Sequence, residues 1–575
     1  MEESKFQKVM NRIGLICFLV FFSFSVVMVI RNGSIGGGLL SGEKRLTFAH
    51  WQLEDGFREG YADAIKEYER IKAAEGVKVK VIQTTVPVRG YSQWFLTQLI
   101  GGDSADVIEL SGSDDIHNQY FLPLSPYLAG PNPYNKGTPL EGMAWRDTFA
   151  DDMVGALNQT YSEYFGVSTF STTLRMYVNM DLFEKANGHR ELPKTLDEWI
   201  FSCQKIQEYG EKIGRPLIPI GVRGFDKTTI FQIFSHFNNI INADYNDSVS
   251  DYNYGPSIYE LYHKLATGDR QLNLDRFLTP AEIVTQVGKY FAKGFSAIDL
   301  EQTKFLFNSG TVGYFLDGTY NAFSMVNNSK FKVDVIPLPL LGPNAKYRDL
   351  GRMTEVGGGG GSGKFGIPKN VKDIDLALDF LKFITSYRIS QLTMVHHSKW
   401  GSSLKRMDYR AAFSPEISAM CHCPNKKNMT QKQIDEEVDL LEKCRPYEGK
   451  GYTSIAQIYA IGGKTQKEHV LTLENLVIEQ PEDPKKVFWN TILSKRHRLL
   501  QELDETVIAE RRTHWNLDGM RTAFAVAELG AASAKEKKTY DERYKLNMEG
   551  LVNRYRQLDS LLQAIEDIPK LKEIE

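Results

Sequence analysis

The sequence predicts an α/β fold with a parallel sheet, and two stretches carry that prediction. Between residues 46 and 110, strand-like and helix-like patterns alternate in the order β-α-β-α-β. Crossover helices between successive strands place those strands parallel in one sheet. The second stretch, FNSGTVGYFLDGTYNAFSM at 307–325, predicts a buried strand that ends at a glycine turn and is followed by a helix. Ligands of open α/β sheets bind at the edge where such strands end.

The bulk composition fits a large protein with more than one core. The chain has 575 residues, of which 42% are hydrophobic. The net charge of -3 argues against a general nucleic-acid-binding protein. Five cysteines are too few for a disulfide scaffold.

The first 43 residues predict an export signal or a membrane anchor, followed by a glycine-rich spacer. Three basic residues within positions 1–12 precede the uncharged run 13–30. A positive end of this kind stays on the cytoplasmic side of the membrane. The length of the run lies between that of a cleaved signal and that of a permanent span, so both interpretations stay open. Either one predicts a protein exported to the bacterial cell envelope, in the periplasm or anchored to the outer face of the cytoplasmic membrane.

The opening elements follow in a regular order. Their predicted bounds are a strand over Leu46–Trp51, a helix over Phe57–Ala73, a strand over Val77–Ile82, a helix over Trp94–Ile100 and a strand over Ala105–Leu110. Ser113 and Asp114 come next, at a position where a short helix could begin. Side chains of these types cap helix N-termini.

The longest motif is YFGVSTFSTTLRMYVNMDLFEKANGHRELPKTLDEW at residues 164–199. It resembles the pattern YGVP…LxYNKDLFEKAG…PPxTWDEW of extracellular solute-binding proteins that serve carbohydrate ABC importers, the maltose-binding-like group. The stretch 310–320 is similar to another element of that group, and Tyr320 stands where the group often has a sugar-stacking tryptophan.

The resemblance covers roughly residues 44–480 and implies two α/β lobes of the type II periplasmic-binding-protein class, with a ligand held between them. The implied layout is lobe 1 at 44–165 with 357–420, lobe 2 at 166–356 with 446–484, an insertion loop at 421–445 and a helical extension at 485–575. The expected crossings between lobes are Phe165–Ser168 and the glycine-rich stretch 355–361, which would allow the lobes to move.

The same resemblance implies which residues face the ligand: Trp51, Gln52, Ser111, Ser113, Asp114, Phe170, Ser171, Arg175, Asp317, Tyr320 and Trp400. Several have plainer alternatives. Ser113 and Asp114 could be helix caps, Arg175 could form an ion pair between lobes, and Tyr320 and Trp400 could be core residues.

No cofactor or metal is expected. Residues 357–364 nearly spell a phosphate-binding loop, but Phe365 stands where a serine or threonine must hold magnesium. His396 and His397 are adjacent on a predicted helix, so their side chains should diverge. Cys421, Cys423 and Cys444 lack standard zinc spacing, and export favours a disulfide from Cys421 or Cys423 to Cys444.

Beyond about residue 484 the chain becomes charged and poor in glycine. Seven apolar or aromatic residues alternate spacings of four and three, as in a coiled-coil seam: Tyr544, Met548, Leu551, Tyr555, Leu558, Leu562 and Ile565. The seam predicts either a helical hairpin within the chain or a contact with a partner.

The sequence thus predicts a binding protein, not an enzyme, that captures a sugar and delivers it to ABC permease subunits. One rival is a membrane-anchored sensory or assembly protein. The other is a secreted glycosidase, which needs two carboxylates about 5–9 Å apart. Asp114, Glu355 and Asp317 could supply such a pair, but no local motif supports them.

Overall fold

The computed structural model describes most of the chain between residues 43 and 445. The described ranges are 43–54, 56–158, 161, 163–225, 228–249, 274–345, 361–423 and 429–445, with a few single positions after 506. The predicted signal or anchor, the glycine run before Gly361, the part of lobe 2 assigned to 446–484 and nearly all of the extension 485–575 lie outside them. Among the described helices, none is long and apolar enough to cross a membrane.

Twelve strands are present in the described residues. In chain order they are β1 (Lys44–His50), β2 (Val79–Thr85), β3 (Val107–Glu109), β4 (Leu157–Asn158), β5 (Glu163–Tyr164), β6 (Val167–Ser171), β7 (Leu174–Asn179), β8 (Ile218–Gly221), β9 (Val312–Gly318), β10 (Val333–Ile336), β11 (Gly361–Gly366) and β12 (Gly401–Ser402).

The helices surround the two larger sheets, and β4 and β5 form a separate antiparallel pair. In chain order they are α1 (Phe57–Ala74), α2 (Val88–Gly101), α3 (Asp114–Tyr120), α4 (Ser125–Leu128), α5 (Met180–Asn187), α6 (Leu196–Lys212), α7 (Thr228–Val249), α8 (Leu274–Gly288), α9 (Leu300–Asn308), α10 (Ala322–Asn328), α11 (Ile374–Ile384), α12 (Tyr387–Ser390), a π-helix (Gln391–His397), α13 (Pro415–Met420) and α14 (Gln431–Cys444).

Lobe 1 is built on a six-stranded sheet in the order β12-β6-β11-β3-β1-β2. The predicted β-α-β-α-β opening is confirmed, because β1 pairs in parallel with both β2 and β3. β11 runs antiparallel between β3 and β6, and β12 runs antiparallel to β6. The carboxyl ends of β1, β3 and β6 therefore lie at one edge of the sheet, together with the start of β12.

Lobe 2 is built on a four-stranded sheet in the order β10-β7-β9-β8. β8 and β9 are parallel, and β7 runs antiparallel to β9 with Leu174 opposite Gly318. β10 lies at the sheet edge and ends at Ile336, just before Pro337, which has no backbone N–H to donate.

The 164–199 motif contains helix-capping residues that form their capping bonds in the structure. The Asn179 side chain accepts a hydrogen bond from the Leu182 amide at 3.1 Å and so caps α5. Thr195 and Glu198 form a reciprocal capping box at the start of α6. Trp199 is fully buried in the lobe 2 core, against the ring of Tyr314. These residues fix the lobe and do not face a ligand.

The first crossing between sheets lies later than the sequence predicts. Phe165–Ser168 was expected to cross, but Val167–Ser171 pairs with β11 inside the lobe 1 sheet. Only Thr172 and Thr173 separate β6 from β7. The run is fully buried on both sides of the crossing, so hydrophobicity alone does not reveal where the strand changes sheets.

Residues 421–445 are not the insertion loop that the sequence predicts. Gln431–Cys444 forms helix α14, which begins with a capping box between Thr430 and Gln433. Leu441 packs into the lobe 1 core, whereas Leu440 and Cys444 pack against lobe 2. We call α14 the strap helix, because it bridges both lobes.

Candidate ligand-binding site

Glu109 organises the first group of predicted site residues. This carboxylate ends β3 and is fully buried. Gln52 donates its side-chain amide to Glu109 Oε1 at 2.6 Å, and the Trp51 backbone amide donates to Oε2 at 3.3 Å. Burial raises the pKa of Glu109 to about 8, although the bonds from Gln52 and Trp51 oppose the shift. The acid thus fixes the loop after β1.

The Trp51 ring is half-buried beside this group. It makes an edge-on contact with the ring of Tyr91, with centroids 4.8 Å apart, and Tyr91 donates its hydroxyl to the Glu109 carbonyl at 2.6 Å. Gln52 is buried and its amide is held by Glu109, so its role is to position the loop that carries Trp51.

Ser111, Ser113 and Asp114 follow β3 at the same sheet edge. The Ser111 hydroxyl lies 2.9 Å from that of Ser92, and the Ser111 carbonyl is 3.0 Å from His117 Nε2. Ser113 occupies the cap position of α3, but its side chain makes no capping bond to that helix. Ser113 and Asp114 are exposed, as a residue that meets a soluble ligand must be.

The second group joins the two lobes through aromatic rings. Trp400 packs edge-on against Phe57 and Phe170, with centroids 4.2 and 4.8 Å away. Tyr320, from lobe 2, lies 6.2 Å from Trp400 at an interplanar angle of 53°. Phe170 and Trp400 are only 6% and 7% exposed, so a ligand meets an edge of this stack and not an open face.

Asp317 anchors Tyr320 at the end of β9. The Tyr320 hydroxyl donates to Asp317 Oδ1 at 3.0 Å, and the Asn321 side chain donates to Oδ2 at 2.6 Å. Arg223 approaches Oδ1 at 3.6 Å from the loop after β8. Burial raises the pKa of Asp317, while Arg223, Asn321 and Tyr320 oppose the shift. A side chain at Gly318 would collide with the Tyr320 ring, so glycine is needed there.

Two residues predicted to bind the ligand form hydrogen bonds within the protein instead. The Ser171 hydroxyl donates to the Ser402 carbonyl at 2.9 Å. The Arg175 guanidinium donates to the carbonyls of Lys443 and Arg445, at 2.8 and 2.6 Å, at the end of the strap helix. Arg175 of lobe 2 thus binds the end of the strap helix through these backbone carbonyls.

Three residues of the site were missed by sequence reasoning. Glu109 is the last residue of an otherwise apolar strand, and Arg223 follows the end of a strand parallel to β9. Because ligands bind where such strands end, the position of both residues in the sequence could have indicated the site. The position of Lys364 gave no such indication. It is partly buried on β11, which lowers its pKa, and the charges of Asp114 and Asp151 oppose that shift.

The predicted disulfide is not formed. Cys444 has a free thiol in the cluster that holds Leu440, whereas Cys421 packs with Leu392 and Ile417 in a different cluster. The strap helix lies between these positions in the chain and keeps them apart. The two histidines also depart from expectation. Ligand atoms of His396, His397 and Cys421 all lie within 4.8 Å of one another.

Comparison with known families decides the class of protein. The model of the family described as bacterial extracellular solute-binding protein matches residues 52–388, which is more than half of the chain. The chain belongs to this family.

Individual relatives of this solute-binding protein are distant. The arabinooligosaccharide-binding protein of Bacillus subtilis (strain 168) is 24% identical over 225 residues, which are 39% of this chain and 48% of that protein. The match therefore spans about half the length of this curated relative. The crystal structure of a probable secreted solute-binding lipoprotein from Streptomyces coelicolor has a TM-score of 0.50. That comparison covers 79% of this chain and 98% of the other at 14% identity, and it supports the two-lobe α/β fold alone.

Family membership also bears on the glycosidase alternative, because this is a family of binding proteins. Of the three suggested carboxylates, Glu355 lies outside the described residues. Asp114 is exposed on lobe 1, and Asp317 is buried under Tyr320 and Asn321 in lobe 2.

Proposed function

We propose that this solute-binding protein captures a mono- or oligosaccharide between its lobes and delivers it to the permease subunits of an ABC importer. Its similarity to an arabinooligosaccharide-binding protein supports a carbohydrate ligand. Membership of an extracellular family supports export, with residues 1–43 as signal or membrane anchor.

The observation that carries the proposal is the pairing of Tyr320 with Trp400. One ring comes from each lobe, and their centroids are 6.2 Å apart. Sugars present C–H patches that pack on aromatic rings and hydroxyls that need polar partners. The half-buried side chains of Asn321 and Arg223 supply such partners beside Tyr320, and the buried Asp317 holds them in place.

Lobe 1 supplies the remaining part of the proposed site. The edge of its sheet carries Trp51 as a further ring and Ser111, Ser113 and Asp114 as hydrogen-bonding groups. Ser171, Arg175 and Gln52 are left out, because their polar atoms are bonded to Ser402, to the strap helix and to Glu109.

A ligand that contacts both lobes makes more contacts in the closed arrangement than in the open one, so its binding favours closure. Thr172 and Thr173 are the shortest connection between the sheets, so they would absorb much of the rotation. Thr173 exchanges hydrogen bonds with Thr319, next to Tyr320: its carbonyl accepts from the Thr319 amide at 2.8 Å, and its own amide donates to the Thr319 hydroxyl at 3.1 Å. The proposed hinge therefore touches the proposed ligand-contacting segment.

A sugar panel tests the proposal. A ligand that binds only the folded state raises the melting temperature, so thermal shifts against pentose and hexose oligosaccharides should identify one class. Calorimetry should then give an affinity for the parent protein and for Tyr320→Ala. Removing the ring should cost about 1–3 kcal/mol, or roughly tenfold to a hundredfold in affinity.

Tyr134→Ala is the matched control. Tyr134 is also a half-buried tyrosine against the lobe 1 core and also donates its hydroxyl to an aspartate, Asp379. Tyr134 lies in the 3-10 turn Pro133–Asn135 and contacts α11, away from the sheet edge, so its loss should lower stability without changing sugar affinity. Equal sugar affinities for Tyr320→Ala and the parent would exclude the stacking role, and the absence of any sugar ligand would exclude the proposed function.

A further inference from the structure

Three side chains with metal-binding atoms converge inside lobe 1. His396 and His397 end the π-helix, and Cys421 follows α13. All three are at most 1% exposed, and their ligand atoms lie within 4.8 Å of one another. Cys421 lies 24 residues after His397, so the fold brings the thiol to the imidazoles. We propose that these residues bind one Zn²⁺ ion, with a water molecule as the fourth ligand.

The π-helix explains how adjacent histidines share one site. In an α-helix, consecutive side chains point about 100° apart. The wider turn of a π-helix reduces that angle, and single π-helical turns occur frequently at functional sites. The imidazole centroids of His396 and His397 are 5.6 Å apart. Gly60 of α1 lets the turn approach closely, because a Cβ there would lie 3.0 Å from His397 Cβ.

The donor set favours zinc over other common cations. Two imidazoles and one thiolate suit Zn²⁺, whereas magnesium and calcium prefer oxygen. Zinc bonds of 2.0–2.3 Å place tetrahedral ligands roughly 3.3–3.7 Å apart. The three ligand atoms therefore need to close by only about 1 Å around the ion. Binding releases the Cys421 thiol proton to solvent as the zinc–sulfur bond forms.

Asp63 of α1 supplies the outer support that zinc sites usually have. Its Oδ2 lies 3.2 Å from His397 Nε2. The same carboxylate accepts from the His422 amide at 2.7 Å and from Lys66 at 3.0 Å. A carboxylate on a ligating histidine fixes the orientation of the ring. Asp63 is a positioning residue in this proposal, and the three ligands are the binding residues.

The ion would tie together two segments that matter to the proposed ligand site. His397 lies three residues before Trp400, and Cys421 begins the connection to the strap helix. A cross-link among α1, the π-helix and this connection would hold Trp400 and the lobe 1 end of the strap in place. The zinc proposal does not depend on which solute the protein carries.

Metal analysis of the full chain tests the site. Protein stripped with a chelator, reloaded with zinc chloride under reducing conditions and desalted should hold one zinc per chain and melt at a higher temperature than stripped protein. Reloading with cobalt should give the absorption band of a cobalt–thiolate bond. Cys421→Ser should lose that band. Asp63→Asn should keep the band but bind zinc about 10–100-fold more weakly.

Cys203→Ser is the matched control, because Cys203 is also fully buried but lies in the lobe 2 core. It should keep both the zinc and the cobalt–thiolate band. Folded parent protein that retains no zinc, or a Cys421→Ser variant that keeps the band, would overturn the proposal. Should Cys421→Ser fail to fold, the cobalt-loaded parent decides alone: the thiolate band supports the site and its absence refutes it.

Discussion

Glu109 shows how one buried side chain can set the geometry of a proposed site without facing its ligand. Its two carboxylate oxygens accept from Gln52 and from the Trp51 amide, and its backbone carbonyl accepts from Tyr91. Gln52 and Trp51 belong to the loop after β1, and Tyr91 contacts the Trp51 ring. A buried carboxylate is costly when charged, which is why its pKa rises to about 8.

Glu109 should make the stability of the protein depend on pH. The pKa of Glu109 is about 8 in the folded protein, whereas its ordinary value is 4.5. At a pH between these two values, the folded state therefore keeps a proton that the unfolded state has lost. The free energy of unfolding should therefore fall as pH rises from 5 to 8. Glu109→Gln removes this contribution, so its stability relative to the parent should rise across that range, on the order of 2 kcal/mol.

Urea unfolding at several pH values measures that difference. His50 and His236 have pKa values lowered to about 4 by burial, and they act in the opposite direction between pH 4 and 6.5. Both histidines are present in parent and variant, so their effect cancels in the comparison. A constant difference between Glu109→Gln and the parent from pH 5 to 8 would show that Glu109 is already ionised when folded.

At the residue scale, the sequence predicts well which residues lie at a sheet edge. It predicts less well which groups their side chains bind there. Trp51, Ser111 and Tyr320 lie where their strands end, as the strand patterns required. The bonding of Arg175 depends on two carbonyls about 270 residues away in the chain. Contacts of that range follow from the packed fold, and no local pattern around Arg175 encodes them.

The strap helix is held on both sides by different kinds of contact. On the lobe 1 side, Glu437 pairs with Lys399 and Asp435 with Arg410. On the lobe 2 side, Lys443 pairs with Asp334 at 2.7 Å, and Arg175 binds the terminal carbonyls. A cation near a helix C-terminus also interacts favourably with the helix dipole. Because the Arg175 contact is buried, we expect it to contribute more to stability than the ion pairs of the strap helix.

Arg175→Ala should destabilise the protein strongly. It removes charge-assisted hydrogen bonds and leaves the carbonyls of Lys443 and Arg445 without those donors, at a cost of about 2–4 kcal/mol. Arg410→Ala is the control, because Arg410 also contacts the strap helix, at Asp435, but both partners of this ion pair are more than half exposed. Exposed pairs contribute little, so the control should unfold almost as the parent does. Equal urea midpoints for the two variants would show that Arg175 does not anchor the strap.

The helix itself was readable from the sequence, although the predicted insertion loop was wrong. Thr430 and Gln433 have the spacing of a capping box, and Ile434, Val438 and Leu441 recur at helical intervals. The apolar positions do not say which surfaces they meet. Leu440 and Leu441 are adjacent yet enter different cores, and only the arrangement of two lobes makes that possible.

At the scale of the whole molecule, the two facing sheet edges predict closure around a ligand. A sugar identified by thermal shift should reduce the radius of gyration of the parent protein in X-ray scattering, because contacts to both lobes favour the closed state. A sugar from the panel that gives no thermal shift is the control and should leave the scattering curve unchanged. Identical curves with and without saturating ligand would mean that binding requires no lobe movement.

The long 164–199 motif made the two-lobe class predictable, whereas the lobe boundary was not. The buried run through Thr172 and Thr173 looks like one continuous strand, and its division depends on pairing with β11 and β9, which come more than 130 residues later. The extension at 485–575, like the signal or anchor, stays a prediction from sequence.

The place of β11 in the lobe 1 sheet sets the order in which a newly made chain can fold. β11 lies between β3 and β6, so before Gly361–Gly366 is synthesised the sheet exists only as separate pieces. β3 ends at residue 109 and β11 starts at 361, a gap of 252 residues. At about 5–20 residues per second, the ribosome needs roughly 13–50 s to cover it. For that interval the lobe 1 sheet lacks the strand that joins β3 to β6, so its two parts cannot yet become one sheet.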